Sequence, residues 1–211
     1  MGMYVDKGSP QDAREIARLY STAFPESVEL FFGKKSTDKL LNLLELAFSL
    51  VFHWGGEALL VMDEAGVIRG YCMYRRDRHH SSKRNWGKVL QLLGQMAGKV
   101  TLPEIAVLLH NQLIMTCTKR TKKAPTPRTQ ARIVSIAVSP ECQGQGVGTL
   151  LLYSALENLA HQRIGLNVRA DNRAARHLYA KAGFQEYGTT RDLSGRWIVL
   201  VKEPYAEANK W

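Results

Sequence analysis

Between Arg132 and Leu151 the chain reads Arg-Ile-Val-Ser-Ile-Ala-Val-Ser-Pro-Glu-Cys-Gln-Gly-Gln-Gly-Val-Gly-Thr-Leu-Leu. A β-branched apolar run, a turn with glycine at three alternate positions and the start of an apolar-periodic helix follow one another without a gap. Residues 132–138 read as a buried strand, and a helix from about Gly148 to His161 carries Leu151, Leu152, Ala155, Leu156 and Leu159. The glycines let the backbone approach a ligand closely, and the free N–H groups and positive dipole end of the following helix favour an anion such as a pyrophosphate. Two other phosphate loops fit poorly. Gly148 is followed by Thr-Leu rather than by Lys and a hydroxyl residue, and Gly144, Gly146 and Gly148 do not have the GxGxxG spacing. A P-loop nucleotidase and a Rossmann dehydrogenase are therefore disfavoured, and the remaining alternative is a glycine-rich turn that holds nothing.

The rest of the chain surrounds this unit with helices and strands. Asp12 to Phe24 has Ala13, Ile16, Ala17, Tyr20 and Phe24 at helical spacing behind Ser9-Pro10, and Pro25 ends it. Ser36 to Trp54 repeats the pattern and stops at Gly55-Gly56. Ala58 to Met62 and Val67 to Tyr74 read as two strands of a hairpin. After the basic loop from Arg75 to Arg84, Trp86 to Ala97 and Leu102 to Cys117 look helical, and Thr118 to Gln130 is a second basic loop. Beyond the glycine turn come a strand at Ile164 to Val168, a helix at Asn172 to Ala182, and strands near Phe184 to Tyr187 and Trp197 to Val201. The order implies a mixed α/β sheet, and 211 residues are expected to form one domain.

Two segments in this order carry a resemblance. Gln143-x-x-Gly146-x-Gly148, preceded by Ile136-Ala-Val-Ser-Pro140, resembles the acyl-CoA signature of GNAT acetyltransferases and the fourth strand before it. Leu166-Asn-Val-Arg-Ala-Asp-Asn172 and Leu178-Tyr179-Ala-Lys-Ala-Gly183-Phe184 are similar to that family's second block. Residues 132–184 are covered well, residues 1–75 agree only in element order, and residues 76–130 stand as a helical insertion before the fourth strand. The resemblance implies a GNAT fold over 1–211, a central mixed sheet flanked by helices with its fourth and fifth strands splayed apart.

It also implies a chemistry. The chain would transfer an acetyl or other acyl group from acetyl-CoA or another acyl-CoA to a primary amine by direct attack. Ile136, Ala137 and Val138 would pair with the pantetheine arm, and Gln143, Gly144, Gln145, Gly146, Val147, Gly148 and Thr149 would hold the pyrophosphate. Asn172 would contact the CoA arm, although an Asn there also makes a good helix cap. Tyr179 lies two helical turns after Asn172 on the same face and would be the general acid, its phenol of pKa ~10 meeting a departing thiolate of pKa ~8.5; the plain alternative is a packed core tyrosine. A backbone N–H of Val138 or Ile136 would meet the oxyanion. The strand from Arg132 to Val138 contains no carboxylate, where relatives often have one, so the general base is open among Glu26, Glu29, Glu57, Glu104 and water.

Charge adds a second theme. Of the net +10, residues 75–132 alone hold +11, with 13 Lys or Arg against Asp77 and Glu104. Such a segment suits nucleic acid, an acidic membrane surface or a phosphorylated ligand. Its apolar stretches around Val89 to Met96 and Leu102 to Met115 read as a lid or homodimer interface over the acceptor site, or as a membrane-facing pair. A binding module without turnover would need the glycine turn but not Tyr179. Cys72, Cys117 and Cys142 form no metal or disulfide pattern and read as free thiols; with no metal set and no secretory apolar core, a cytoplasmic protein is expected.

Overall fold

In a computed structural model of the chain, residues 2–33, 35–77, 86–101, 121–122 and 127–204 are described. Strand β1 (Met3–Gly8) leads through a one-turn 3-10 helix, Pro10–Asp12, into α1 (Ala13–Ala23). Ser9 and Asp12 form a reciprocal cap there, with the Ser9 N–H donating to the Asp12 carboxylate at 2.7 Å and the Gln11 N–H to the Ser9 hydroxyl at 3.3 Å. Helices α2 (Pro25–Phe32) and α3 (Thr37–His53) follow, then the hairpin β2 (Gly56–Asp63) and β3 (Ile68–Arg76) and helix α4 (Trp86–Ala97). The two-residue β4 (Thr121–Lys122) precedes β5 (Ala131–Val138), α5 (Val147–Asn158), β6 (Ile164–Arg169), α6 (Arg173–Lys181), β7 (Gln185–Asp192) and β8 (Gly195–Lys202).

Three of these elements are not anticipated by the sequence patterns: α2, β1 and the short β4, which lies in the stretch expected to be a basic loop. Pro25 does end α1, but its fixed φ and missing N–H also suit the first position of a helix, and α2 starts on it. β1 shows only Met3 and Val5 to the core, too short an alternation to stand out. With β4 counted, the strand expected to be fourth is β5.

The sheet order is β1-β2-β3-β5-β6-β8-β7-β4, antiparallel except between β5 and β6. Both faces are covered. Leu59 and Val61 of β2 point with Cys72 and Tyr74 of β3 into a core closed by Leu151, Leu152 and Leu156 of α5. The alternate residues Leu60, Tyr71 and Met73 pack with Ile16 and Ala17 of α1 and Leu44 and Phe48 of α3.

The site is made by a failure of pairing in the middle of this sheet. β5 and β6 pair only at Ala131 with Ile164 and Arg132 with Gly165, and they diverge beyond that point. On its other side β5 stays on β3 as far as Val138, with a register shift that leaves Val134 unopposed between Ile133 and Ser135. A bulge of this kind bends and twists its strand. It lies where β5 leaves β6, so β5 stays with the β1–β3 half of the sheet and β6 with the β7–β8 half. The expected splay is thus present.

Candidate active site

The opened edge of β5 has its own polarity. The Ser139 N–H donates to the Arg69 carbonyl at 2.8 Å, and Tyr71 faces Ala137, so the main chain of Ala137 is turned toward β3. By strand alternation the N–H and C=O of Ile136 and Val138 face the opening, where no strand meets them. Ala137 was expected to share this edge, but only its two neighbours present their backbone to it.

The glycine turn closes one end of the opening. Gly144 and Gly146 have φ of +76° and +85°, conformations that a side chain would strain, and nothing lies within 4 Å of where a Cβ would stand at either. Gly146 is the residue before α5, whose first-turn N–H groups have no intrahelical partner. Gly148 differs: a Cβ there would meet Val138 Cγ2 at 3.6 Å and Leu178 Cδ2 at 3.7 Å, ordinary contact distances. The two glutamine side chains brace the turn rather than face a ligand. Gln143 Nε2 donates to the Val138 carbonyl at 3.3 Å and Gln145 Nε2 to the Glu141 carbonyl at 2.8 Å.

Helix α6 supplies the other wall. Asn172 caps it, its Oδ1 accepting the Ala175 N–H at 3.0 Å, so the capping role is real and leaves the amide nitrogen to face outward. Tyr179 is 4% exposed and its ring meets Phe184 edge-on at 5.7 Å. Burial pushes its phenol well above the usual tyrosine range, and the neighbouring Cys72 adds to this. The hydroxyl has no hydrogen-bond partner among the described residues.

These walls enclose two adjoining cavities. One, of about 560 Å³, is lined by Ile136, Ala137, Val138, Gln143, Gly144, Gly146, Gly148, Thr149, Asn172 and Tyr179. Every residue expected at the site is therefore here except Gln145, turned onto Glu141, and Val147, buried in the core beneath α5. The second, of about 730 Å³, lies toward α1–α3 and includes Tyr20, Phe24, Glu26, Phe48, Val134 and Trp197. The two share Ala23, Phe24, Ile136, Asn172, Ala175 and Tyr179.

The aromatic lining of the second cavity is the part that sequence reasoning missed. Tyr20, Phe24 and Phe48 fall on the apolar stripes of α1 and α3, and a stripe does not distinguish a residue facing the sheet from one at the rim of an opening. Of the carboxylates considered as bases, only Glu26 lines a cavity. Glu57 accepts from the Tyr74 hydroxyl at 3.4 Å and lies 3.4 Å from Arg76, at the start of β2. Glu29 lines neither cavity, and Glu104 falls outside the described residues.

In the basic segment, α4 packs on α3 through Val89 and Leu92 and leaves Trp86, Leu90 and Leu93 outward; none of its residues lines either cavity. The second helix expected there, Leu102 to Cys117, lies outside the described residues. No helix among the described residues is long and apolar enough to cross a membrane.

Residues 105–184 match the model of the family described as the acetyltransferase (GNAT) family. Over 70 residues the chain is 40% identical to a mycothiol acetyltransferase of Tsukamurella paurometabola, covering 32% of this chain and 24% of that protein. Over 66 residues it is 39% identical to the N-alpha-acetyltransferase RimI of Mycobacterium tuberculosis, covering 31% of this chain and 42% of that one. The matches thus span well under half of these relatives. Among solved structures, an acetyltransferase of Corynebacterium glutamicum described as histone acetyltransferase HPA2 and related superimposes with a TM-score of 0.64 at 19% identity, over 99% of both chains. The PaiA N-acetyltransferase of Thermoplasma acidophilum, solved in complex with coenzyme A, gives 0.53 at 12% identity, over 96% of this chain and 99% of that one. The sheet opened between two parallel strands, with a glycine turn feeding a helix at its end, belongs to a fold that the chain shares with these solved structures. The family match is thus carried by residues 105–184, and the fold is the one these solved acetyltransferases have.

Proposed function

We propose that the protein is an acetyl-CoA-dependent N-acetyltransferase that passes the acetyl group directly to a primary amine, with Tyr179 as general acid. The observation that carries this reading is the meeting of the two cavities along a shared wall that includes Tyr179 and Ile136, because a donor in one and an acceptor in the other would come together there. The residues fit the donor. The open space over Gly144 and Gly146, at the N-terminus of α5, suits a pyrophosphate, and the edge at Ile136 and Val138, which no strand covers and where only the Val138 carbonyl is met by Gln143, suits an arm that carries amide groups. Asn172 can cap α6 with its oxygen and reach that arm with its nitrogen.

The protein's part in the reaction is positioning and proton transfer. As the amine nitrogen bonds to the thioester carbon, an N–H of Ile136 or Val138 meets the developing oxyanion. The C–S bond then breaks, and Tyr179 gives its proton to the sulfur. The proton shed by the nitrogen restores the phenol through solvent, so one amine and one thioester yield one amide and one thiol. The phenol is protonated at neutral pH, and because burial makes it a weaker acid than a free tyrosine, its donation follows the build-up of charge on the sulfur. Turnover, rather than binding alone, gives this tyrosine a task.

Free-thiol release from acetyl-CoA, measured against a panel of amines, tests the reading. Release should rise well above the amine-independent background with at least one amine. A protein that binds CoA yet releases thiol at the background rate with every amine would be a binding module instead.

A further inference from the structure

We infer that the 730 Å³ cavity accepts a single ammonium carried on an apolar or aromatic body, and that Glu26 is the residue that selects the charge. The inference rests on the acyl-transfer reading above and names its acceptor class.

The wall facing α1 and α3 is Phe24, Leu44, Ala47, Phe48 and Val134, with Tyr20 among them. Its rings form a connected series: Tyr20 to Phe24 at 5.1 Å, Tyr20 to Phe48 at 5.6 Å and Phe48 to Tyr71 at 5.8 Å. Several polar groups on the same wall are already engaged with one another. Ser135 Oγ and the Tyr71 hydroxyl are 2.7 Å apart. Asp171 is held by both Nε and Nη2 of Arg169, at 3.1 and 2.8 Å. Trp197 Nε1, also on this wall, is a buried donor without a hydrogen-bond partner among the described residues.

Charge narrows the class further. Of the two carboxylates on the wall, Asp171 is neutralised by Arg169, whereas Glu26 makes no ion pair within 4.0 Å among the described residues. Its field reaches the cavity: it contributes, after burial, to holding the Tyr20 phenol above its usual range, and it acts on Arg169 from across the opening. One uncompensated carboxylate beside aromatic faces matches one ammonium, which the Tyr20 and Phe24 rings also attract. A polyamine or an aminoglycoside would bring further cations against an apolar wall with no second carboxylate to meet them.

The same chemistry exists in a free arylalkylamine and in the N-terminus of a peptide that begins with an apolar residue, so both belong in the test. Initial rates of thiol release would be compared for 2-phenylethylamine, a peptide beginning with leucine, spermidine and kanamycin. The expected result is a kcat/KM for one of the first two at least tenfold above both polycations. Glu26→Gln should raise KM for that acceptor at least tenfold with KM for acetyl-CoA unchanged, and Glu26→Asp should recover part of the loss. A preference for spermidine or kanamycin, or an unchanged acceptor KM in Glu26→Gln, would overturn the inference while leaving an acyltransferase in place. Background thiol release with all four compounds would remove the acyltransferase reading and this inference together.

Discussion

At Gly146 the chain turns through φ +85° to enter α5, whereas Gly148, two residues on, is helical and has room for a methyl group at 3.6 and 3.7 Å from its neighbours. The sequence presents both as members of one alternating run. The structure separates a backbone requirement from a packing preference. An alanine at Gly146 must adopt a left-handed conformation, at a cost of ~1–2 kcal/mol, or shift the turn. Gly146→Ala should therefore lower Tm by several degrees and shrink the Tm gain caused by saturating CoA. Gly148→Ala should keep both near the wild-type values, since alanine also favours the helix. Thermal unfolding of the two variants with and without CoA checks the pair, and the reverse ranking would refute the assignment of the turn. Glycine identity alone did not tell the left-handed positions, Gly144 and Gly146, from the helical Gly148. The inward folding of Gln143 and Gln145 was not legible either, because a side-chain amide can serve a ligand or its own loop equally well.

Among the elements, the β2–β3 hairpin is tied to the glycine turn by a buried charge. Asp63 is fully buried, accepts the Val67 and Ala65 N–H groups at 2.9 and 3.0 Å, and receives Arg69 Nε at 2.8 Å; Arg69 Nη1 continues to Glu141 at 3.0 Å. The Val67 N–H first and then Arg69 hold the Asp63 carboxyl below the usual carboxylate range. A lowered folded pKa means stability that is present above the unfolded value, ~4, and lost as pH falls through the folded one. Asp63→Asn should accordingly be destabilised most near neutral pH, with its Tm converging on the wild-type value below pH ~4. A Tm difference that stays constant from pH 7 to pH 3 would contradict this. Elements of this kind are read unevenly from sequence. The long stripes of α1, α3 and α5 declare themselves, but β1 has two inward residues and α2 is hidden by a proline that both stops one helix and starts the next. The bulge at Val134 is invisible inside a uniformly apolar run. The splay was therefore an expectation from family resemblance, not from periodicity.

On the scale of the whole molecule, the site is a junction between two cavities assembled from distant parts of the chain. The cavity proposed for the donor draws mostly on residues 136–149 and 172–179, with Ala23 and Phe24 added from the N-terminal helices, and was legible because those two stretches each form a local motif. The acceptor side draws on residues near 20–27, 44–48, 133–136, 166–172 and 197, and no local pattern links them. The proposed chemistry at this junction rests on the phenol of Tyr179, buried and without a hydrogen-bond partner among the described residues. Phenylalanine at this position keeps the ring and its edge contact with Phe184. With an acceptor that works, the steady-state rate of Tyr179→Phe at saturating acetyl-CoA and amine should fall ~10²-fold or more, while its affinity for CoA stays near the wild-type value. A variant that turns over at the wild-type rate would make Tyr179 a packed core residue and leave the reaction without the acid assigned to it.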